Sequence, residues 1–180
     1  MEKYTLSVLV ENSAGVLSQV TRLFSRKGYN IDSLAVGETD DPEISRITII
    51  VLGDDQIMKQ LYAQLSKLLP VLSVQILSAD NSVERELVLI KVRTNGRTER
   101  DEVIQICNIF RASVIDIHLD SLTIALVGDA EKSKAMLNLL GEFGILELVR
   151  TGMIALERGA SSIYDRNKDK EEYYYGKNVL

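Results

Sequence analysis

Hydrophobic and polar positions change period in a fixed order along the chain. Tyr4, Leu6, Val8 and Val10 alternate with Thr5, Ser7 and Leu9, and this period of two predicts a strand. Glu11-Asn12-Ser13-Ala14-Gly15 breaks it as a loop. Val16, Leu17, Val20, Leu23 and Phe24 then recur as one face of a helix, which Gly28 closes. Residues 30–38 and 44–52 read as a second and a third strand across Thr39-Asp40-Asp41-Pro42, where proline presets the turn. Gly53-Asp54-Asp55 opens a second helix, with acids at its positive end. Its stripe is Ile57, Leu61, Leu65 and Leu68, and Pro70 stops it. Val71 to Leu77 is a fourth strand. The order βαββαβ predicts an antiparallel four-stranded sheet with both helices on one face, a ferredoxin-like unit.

The same order recurs beyond a polar linker at 79–86. Leu87 to Arg93 reads as a strand, Asn95-Gly96 as a turn, and Thr98 to Arg111 as a helix with Val103, Ile106, Cys107 and Phe110 inward. Paired strands follow at Val114 to Leu119 and Leu122 to Val127. A helix with Met136, Leu139, Leu140 and Phe143 inward precedes a last strand from Ile145 to Leu156. The fold class is thus α+β, two tandem βαββαβ units, an internal repeat of architecture. The domains are expected at 1–78 and 87–159. Residues 160–180 read as a charged tail that includes Tyr173-Tyr174-Tyr175, a cluster suited to docking on a partner.

Composition narrows the chemistry. The chain has 180 residues, 46% of them apolar and 26% charged, with a net charge of −5. That is ordinary globular usage, and the acidic balance argues against general nucleic-acid binding. No apolar run is long enough to span a membrane, and no leader is apparent, so a cytoplasmic protein is expected. One cysteine and one histidine exclude internal disulfides, thiolate clusters and multi-histidine metal sites. His118 sits in an apparent strand, Ile115 to Leu119, with no nucleophile elbow near it. Cys107 falls on a buried helical stripe. The acid pairs Asp40-Asp41 and Asp54-Asp55 fit turn and helix-start roles. No catalytic residue and no metal ligand is assigned.

The informative position is the first strand–helix junction. Asn12 ends a strand, and Gly15-Val16-Leu17 begins a helix whose first-turn N–H groups are free to meet an anion the size of a carboxylate. Asn12 carries both a donor and an acceptor, and Gly15 permits close backbone approach. Asn30 and Ile31, at the start of the second strand, offer another amide and an apolar wall. The other reading is that Asn12 or Ser13 caps the helix and Gly15 serves the turn.

Leu6-Ser-Val-Leu-Val-Glu-Asn-Ser-Ala-Gly-Val-Leu-Ser18 and Leu23-Phe-Ser-Arg-Lys-Gly-Tyr-Asn-Ile-Asp-Ser-Leu34 resemble an ACT domain, more narrowly that of the small regulatory subunits of acetolactate synthase. Thr39 to Arg46, Val83 to Leu87, Arg100 to Val103, Phe110-Arg111 and Ile115-Asp116 are similar to that family too. The likeness covers about residues 1–160. It implies a subunit without activity of its own that belongs to a transferase. Such a subunit activates a larger, thiamine-diphosphate-dependent catalytic subunit and makes it sensitive to valine, in branched-chain amino-acid biosynthesis. Thiamine diphosphate, Mg and FAD are expected on that catalytic subunit, and no cofactor on this chain. The resemblance further implies a homodimer through the ACT domains, with valine at their interface. Asn12, Gly15, Val16 and Leu17 match the effector loop, and Asn30 and Ile31 the partner subunit's share. The second domain resembles the one that contacts the catalytic subunit. A free-standing ACT-domain sensor acting on transcription or another enzyme is the alternative, though no basic recognition segment is visible. An enzyme on a ferredoxin-like scaffold is a third reading, which the scarcity of catalytic residues disfavours.

Overall fold

Ten residues of the first strand pair without interruption to the third, and everything in the first unit is arranged around that ladder. A computed structural model describes residues 2–164. Strand β1 (Glu2–Glu11) runs antiparallel to β3 (Ile44–Gly53), from Glu2 opposite Gly53 to Glu11 opposite Ile44. Strand β4 (Val71–Leu77) flanks β1 on its other side, and β2 (Ile31–Glu38) flanks β3, giving the order β2-β3-β1-β4. Helices α1 (Val16–Lys27) and α2 (Asp55–Leu65) cover one face. Leu6, Val8 and Val10 of β1 and Ile47, Ile49 and Val51 of β3 share a core with Val20, Leu23, Phe24, Met58, Leu61 and Leu65. Phe24 is 1% exposed. The opposite face buries polar side chains, among them Ser7, Thr48, Ser73 and Gln75.

Local chemistry explains the ends of these elements. Ile44 N–H donates to Asp41 O at 3.0 Å, so Pro42 is the second residue of a tight turn between β2 and β3. Asp54 caps α2, its Oδ1 accepting from Ile57 N–H at 2.9 Å. Tyr4 ties β1 to that helix start by donating to Asp55 Oδ1 at 2.8 Å, and this bond, chiefly, pushes its hydroxyl up to about 12. Gly28 ends α1 with φ +72°, where a side chain is costly. Helix α2 stops at Leu65, earlier than its stripe suggests. The N–H groups of Lys67 and Leu68 reach back only three residues, to Gln64 and Leu65, so Leu68 packs on the core from a turn.

A second unit repeats the plan. Strands β5 (Ser82–Arg93), β6 (Ser113–Ile117), β7 (Ser121–Gly128) and β8 (Ile145–Arg150) order as β6-β7-β5-β8, the counterpart of the first sheet. Helices α3 (Arg97–Phe110) and α4 (Ala130–Leu140) bury Val103, Cys107, Met136 and Leu140 against Val88, Ile90, Val92, Leu122, Ile124 and Leu126.

Several expectations shift. Residues 82–86, read as linker, belong to β5; only a short 3-10 turn at Ala79–Asn81 separates β4 from it. The last strand is two strands. Gly152, at φ +83°, breaks the chain between β8 and β9 (Ile154–Glu157), and β9 adds a fifth strand by pairing with β5. Leu139 is 46% exposed rather than inward, because α4 turns Met136 and Leu140 to the core. His118 lies past the end of β6, in the turn.

The chain divides into two units, Glu84–Ile154 and the remainder, so the stretch from Ala155 groups with the first unit. Its first residues bind there specifically. Ser73 Oγ donates to Ile163 O at 3.3 Å, Gln75 Nε2 donates to Glu157 Oε2, and Asn81 Nδ2 donates to Glu157 Oε1 at 3.3 Å. Ile163 is 3% exposed. Residues 160–164 are therefore part of the first unit rather than a solvated tail. Tyr173-Tyr174-Tyr175 lies outside the described residues.

Truncating Phe24 to Ala leaves a large void under α1. The expected loss is about 3–5 kcal/mol in urea unfolding of the full chain.

Candidate functional site

The loop after β1 is held open by Asn12, not capped by it. Asn12 N–H donates to Glu43 O at 2.7 Å, and its Nδ2 donates to Pro42 O at 2.8 Å and to Glu38 Oε1 at 3.3 Å. Both amide protons are thus committed to the β2–β3 turn. Its Oδ1 accepts from no described residue and remains available to a donor. The side chain neither caps α1 nor moves freely, which sets aside the capping reading for Asn12. Ser13 does not cap either, since α1 carries no side-chain cap.

Gly15 precedes α1 at φ +87°, in the left-handed region. A Cβ built there would meet nothing within 4 Å, so conformation and access, rather than crowding, favour glycine. Val16 N–H makes a long bond of 3.4 Å to Ser13 O, and Gln19 N–H reaches Gly15 O at 3.0 Å. The N–H groups of Leu17 and Ser18 between them have no backbone acceptor among the described residues, as expected of a first turn. The first turn of α1 also lacks an acid. By contrast α2 and α4 begin on the capping carboxylates Asp54 and Asp129, and α3 has Glu99, which accepts from Asn95 N–H at 2.6 Å. The positive end of α1 therefore has no acid of its own to complement it.

The apolar residues divide by orientation. Val16 is 4% exposed, with its side chain in the core, so its backbone is what it can offer a ligand. Leu17 is 41% exposed beside the open amides. Ile31 is half-buried against the core, and Asn30 is exposed without a side-chain hydrogen bond among the described residues.

Asn30 and Ile31 do not join this cradle within one chain. Ile31 pairs with Val51, whereas Asn12 follows the pairing of Glu11 with Ile44. Seven residue steps of β3, from Ile44 to Val51, separate these levels, about 23 Å at 3.3 Å each. Glu38, which sequence reasoning missed, lies at the Asn12 end instead, opposite Ser45. Nothing local in the sequence marks it, because its role comes from strand register.

Cys107 and His118 lie outside this cradle. Cys107 is 1% exposed, and burial pushes its thiol above the ordinary range, partly offset by a backbone hydrogen bond. His118 is exposed, with Nε2 3.5 Å from Asp116 Oδ2. Among the described residues, no three His, Cys, Asp or Glu side chains are grouped to hold a metal ion. No helix among the described residues is long and apolar enough to cross a membrane.

This cradle lies within a stretch, residues 6–73, that matches the AHAS small subunit-like ACT domain. Residues 85–159 match the family described as the small subunit of acetolactate synthase. A protein of Methanothermobacter thermautotrophicus named probable acetolactate synthase small subunit is 44% identical over 162 residues, 90% of this chain and 96% of the relative. The chain belongs to the acetolactate synthase small-subunit family. The acetolactate synthase small subunit of Mycobacterium leprae is 48% identical, covering 89% of this chain and 94% of that one. Among solved structures, that of the Thermotoga maritima acetolactate synthase small subunit superposes with a TM-score of 0.84. It has 37% identity and covers 89% of this chain and all of that one. The tandem ferredoxin-like architecture is thus that of the family, and its ACT domain carries the cradle.

The two asparagines differ in what they hold. Asn12→Asp removes both donors and sets a carboxylate against Pro42 O and Glu38. It should cost about 1–3 kcal/mol in urea unfolding, whereas Asn30→Ala should change stability by less than about 0.5 kcal/mol.

Proposed function

We propose that this chain is the regulatory subunit of an acetolactate synthase. It binds the large catalytic subunit, raises its activity and makes it answer to valine in branched-chain amino-acid biosynthesis. The observation that carries this reading is identity of 44–48% over nearly the whole length of relatives bearing the small-subunit name. Thiamine diphosphate, Mg and FAD belong to the large subunit, as does the turnover. The second unit, within residues 85–159, supplies contact with that subunit.

The effector site fits a zwitterion with a small apolar side chain. The open N–H groups of Leu17 and Ser18 take the carboxylate, at a helix start with no acid in its own first turn. Asn12 Oδ1 and the exposed Glu38 carboxylate, held together by the Asn12 amide, take the ammonium group. Gly15 leaves the approach clear. Leu17 meets the isopropyl group.

Asn30 and Ile31 complete the site from a second copy. Strand β2 is an edge, and Ser33-Leu34-Ala35-Val36-Gly37 carries neither charge nor proline to protect it. Two such edges paired antiparallel about a two-fold axis bring the start of one β2 to the end of the other. The start carries Asn30 and Ile31, and the end carries Glu38 beside Asn12. A ligand shared in this way couples its own binding to the relation of the two copies. It shifts the catalytic subunit only by its differential affinity for the inhibited state.

Reconstitution tests the assignment. Added to its catalytic subunit, the chain should stimulate acetolactate formation, and valine should reverse the effect. Gly15→Ala, strained by only about 1–2 kcal/mol, should keep the stimulation and raise the valine needed for half-inhibition at least about tenfold. Loss of stimulation with valine response retained would overturn the assignment of roles.

A mixing experiment tests the sharing of the site. Asn12→Ala and Asn30→Ala chains should each be insensitive to valine. Mixed and refolded together, they should regain part of the response, because each mixed dimer holds one intact site. No recovery would mean that both residues serve the same copy.

A further inference from the structure

Beyond the acids at the start of α2, the helix layer of the first unit carries only bases. Between Val16 and Gly28 the sequence carries Arg22, Arg26 and Lys27 and no acid; between Gln56 and Ser78 it carries Lys59 and Lys67 and no acid. The two acids of this layer lie at the start of α2, where Asp54 caps the helix and Asp55 accepts from the Tyr4 hydroxyl. All five cations are exposed, and none has an ion pair or a side-chain hydrogen bond among the described residues. This stands out in a chain of net charge −5. Helix α3 of the second unit mixes Arg97 and Arg100 with Glu99, Asp101 and Glu102, and Arg97 lies 3.7 Å from Asp101.

Three of the five cations converge on a cavity of about 410 Å³ between the C-terminal ends of α1 and α2. Leu23, Arg26 and Lys27 line it from α1, Gln64 from α2, and Lys67 and Leu68 from the turn that follows. Leu23 is 3% exposed, so the cavity has an apolar floor against the core. The volume lies within the range of small-molecule sites. The helix dipole favours bases in the last turn of α1, but only by about 0.3–1 kcal/mol each at an exposed surface. It also has little left to satisfy there. Tyr29 N–H caps Phe24 O at 3.0 Å, Gly28 N–H caps Ser25 O at 3.2 Å, and Ser66 N–H caps Tyr62 O at 3.0 Å. Like charges around a concavity repel one another, and an anion inside relieves that repulsion.

We propose that this cavity binds a small phosphate ester with a planar or apolar body. Arg26, Lys27 and Lys67 hold the phosphate, Leu23 and Leu68 pack against the body, and Gln64 bonds its polar edge. The site lies at the far end of α1 from Gly15, about 18 Å away along a 12-residue helix. It is a second ligand input, separate from the one proposed for an amino acid.

The probes are AMP and ribose 5-phosphate, which share the phosphate ester but differ in the planar base. Calorimetry and amide NMR shifts on the full chain should show saturable AMP binding with a Kd below about 1 mM, perturbing residues 23–28 and 64–68. Ribose 5-phosphate should bind at the same residues several-fold more weakly. The double substitution Arg26→Gln and Lys67→Gln should weaken AMP at least about tenfold. Lys134→Gln, on α4, should leave it unchanged. Thermal unfolding checks that the variants fold; should the double variant fail, Lys27→Gln alone must still weaken AMP several-fold. Absence of saturation, unchanged affinity in the folded variant, or perturbations confined to residues outside the cavity would overturn the proposal. So would loss of association with the catalytic subunit in the double variant without any AMP binding, which would make the basic face a protein-docking surface.

Discussion

The register between β1 and β3 is the constraint on which the first unit rests. It runs unbroken from Glu2–Gly53 to Glu11–Ile44. A slip of one residue would turn Leu6, Val8 and Val10 away from the helices and bring Thr5, Ser7 and Leu9 toward them. The same register sets the level at which the β2–β3 turn meets the end of β1. Asn12 can reach Glu43, Pro42 and Glu38 only from that level. The packing that stabilises the unit and the geometry that shapes its cradle are therefore one set of contacts. The cradle needs no strained assembly of distant groups, since it forms where the ladder ends.

Charge supplies the second layer of organisation. Three helices begin on acids that complement their positive ends, and α1 does not. Each such complement is worth about 0.3–1 kcal/mol at a surface. Leaving α1 bare forfeits that small stabilisation and keeps its amides available. The bases along α1 and α2 extend the same asymmetry, with cations facing outward over a layer that has almost no acids of its own. Apart from Asp54 and Asp55 at the start of α2, the acids of this unit lie in its strands and turns, among them Glu11, Asp32, Glu38, Asp40, Asp41 and Glu43.

Much of this was legible in the sequence because it depends on local rules. The period changes gave the strands and helices of both units, and Gly28, Pro42 and Asp54 marked ends by mechanisms that act over a few residues. The Asn12-to-Leu17 stretch stood out for the same reason. What escaped reading depends on pairing across the chain. Glu38 meets Asn12 through register. Residues 82–86 are polar enough to pass for a linker, yet β5 takes them up. The stripe of α2 runs on to Leu68 although the backbone has already tightened into a turn. Gly152 divides β8 from β9 inside an apolar run that reads as one strand. The separation of Asn30 from Asn12 is a matter of strand length, which periodicity does not convey.

The return of the chain after β9 carries a consequence for how the protein is built. Glu157 and Ile163 contact Gln75, Asn81 and Ser73, so the first unit is assembled from two separated stretches of sequence. The second unit is in effect an insertion, joined to its host at both ends. Cutting the chain after β4 would not release a finished ACT domain, since it would strip the partners from Ser73 and Gln75, both buried on the face away from the helices. A self-sufficient version would need the closing segment grafted back, as in a circular permutation. Evolution that exchanged the second unit for another would likewise have to respect two junctions rather than one.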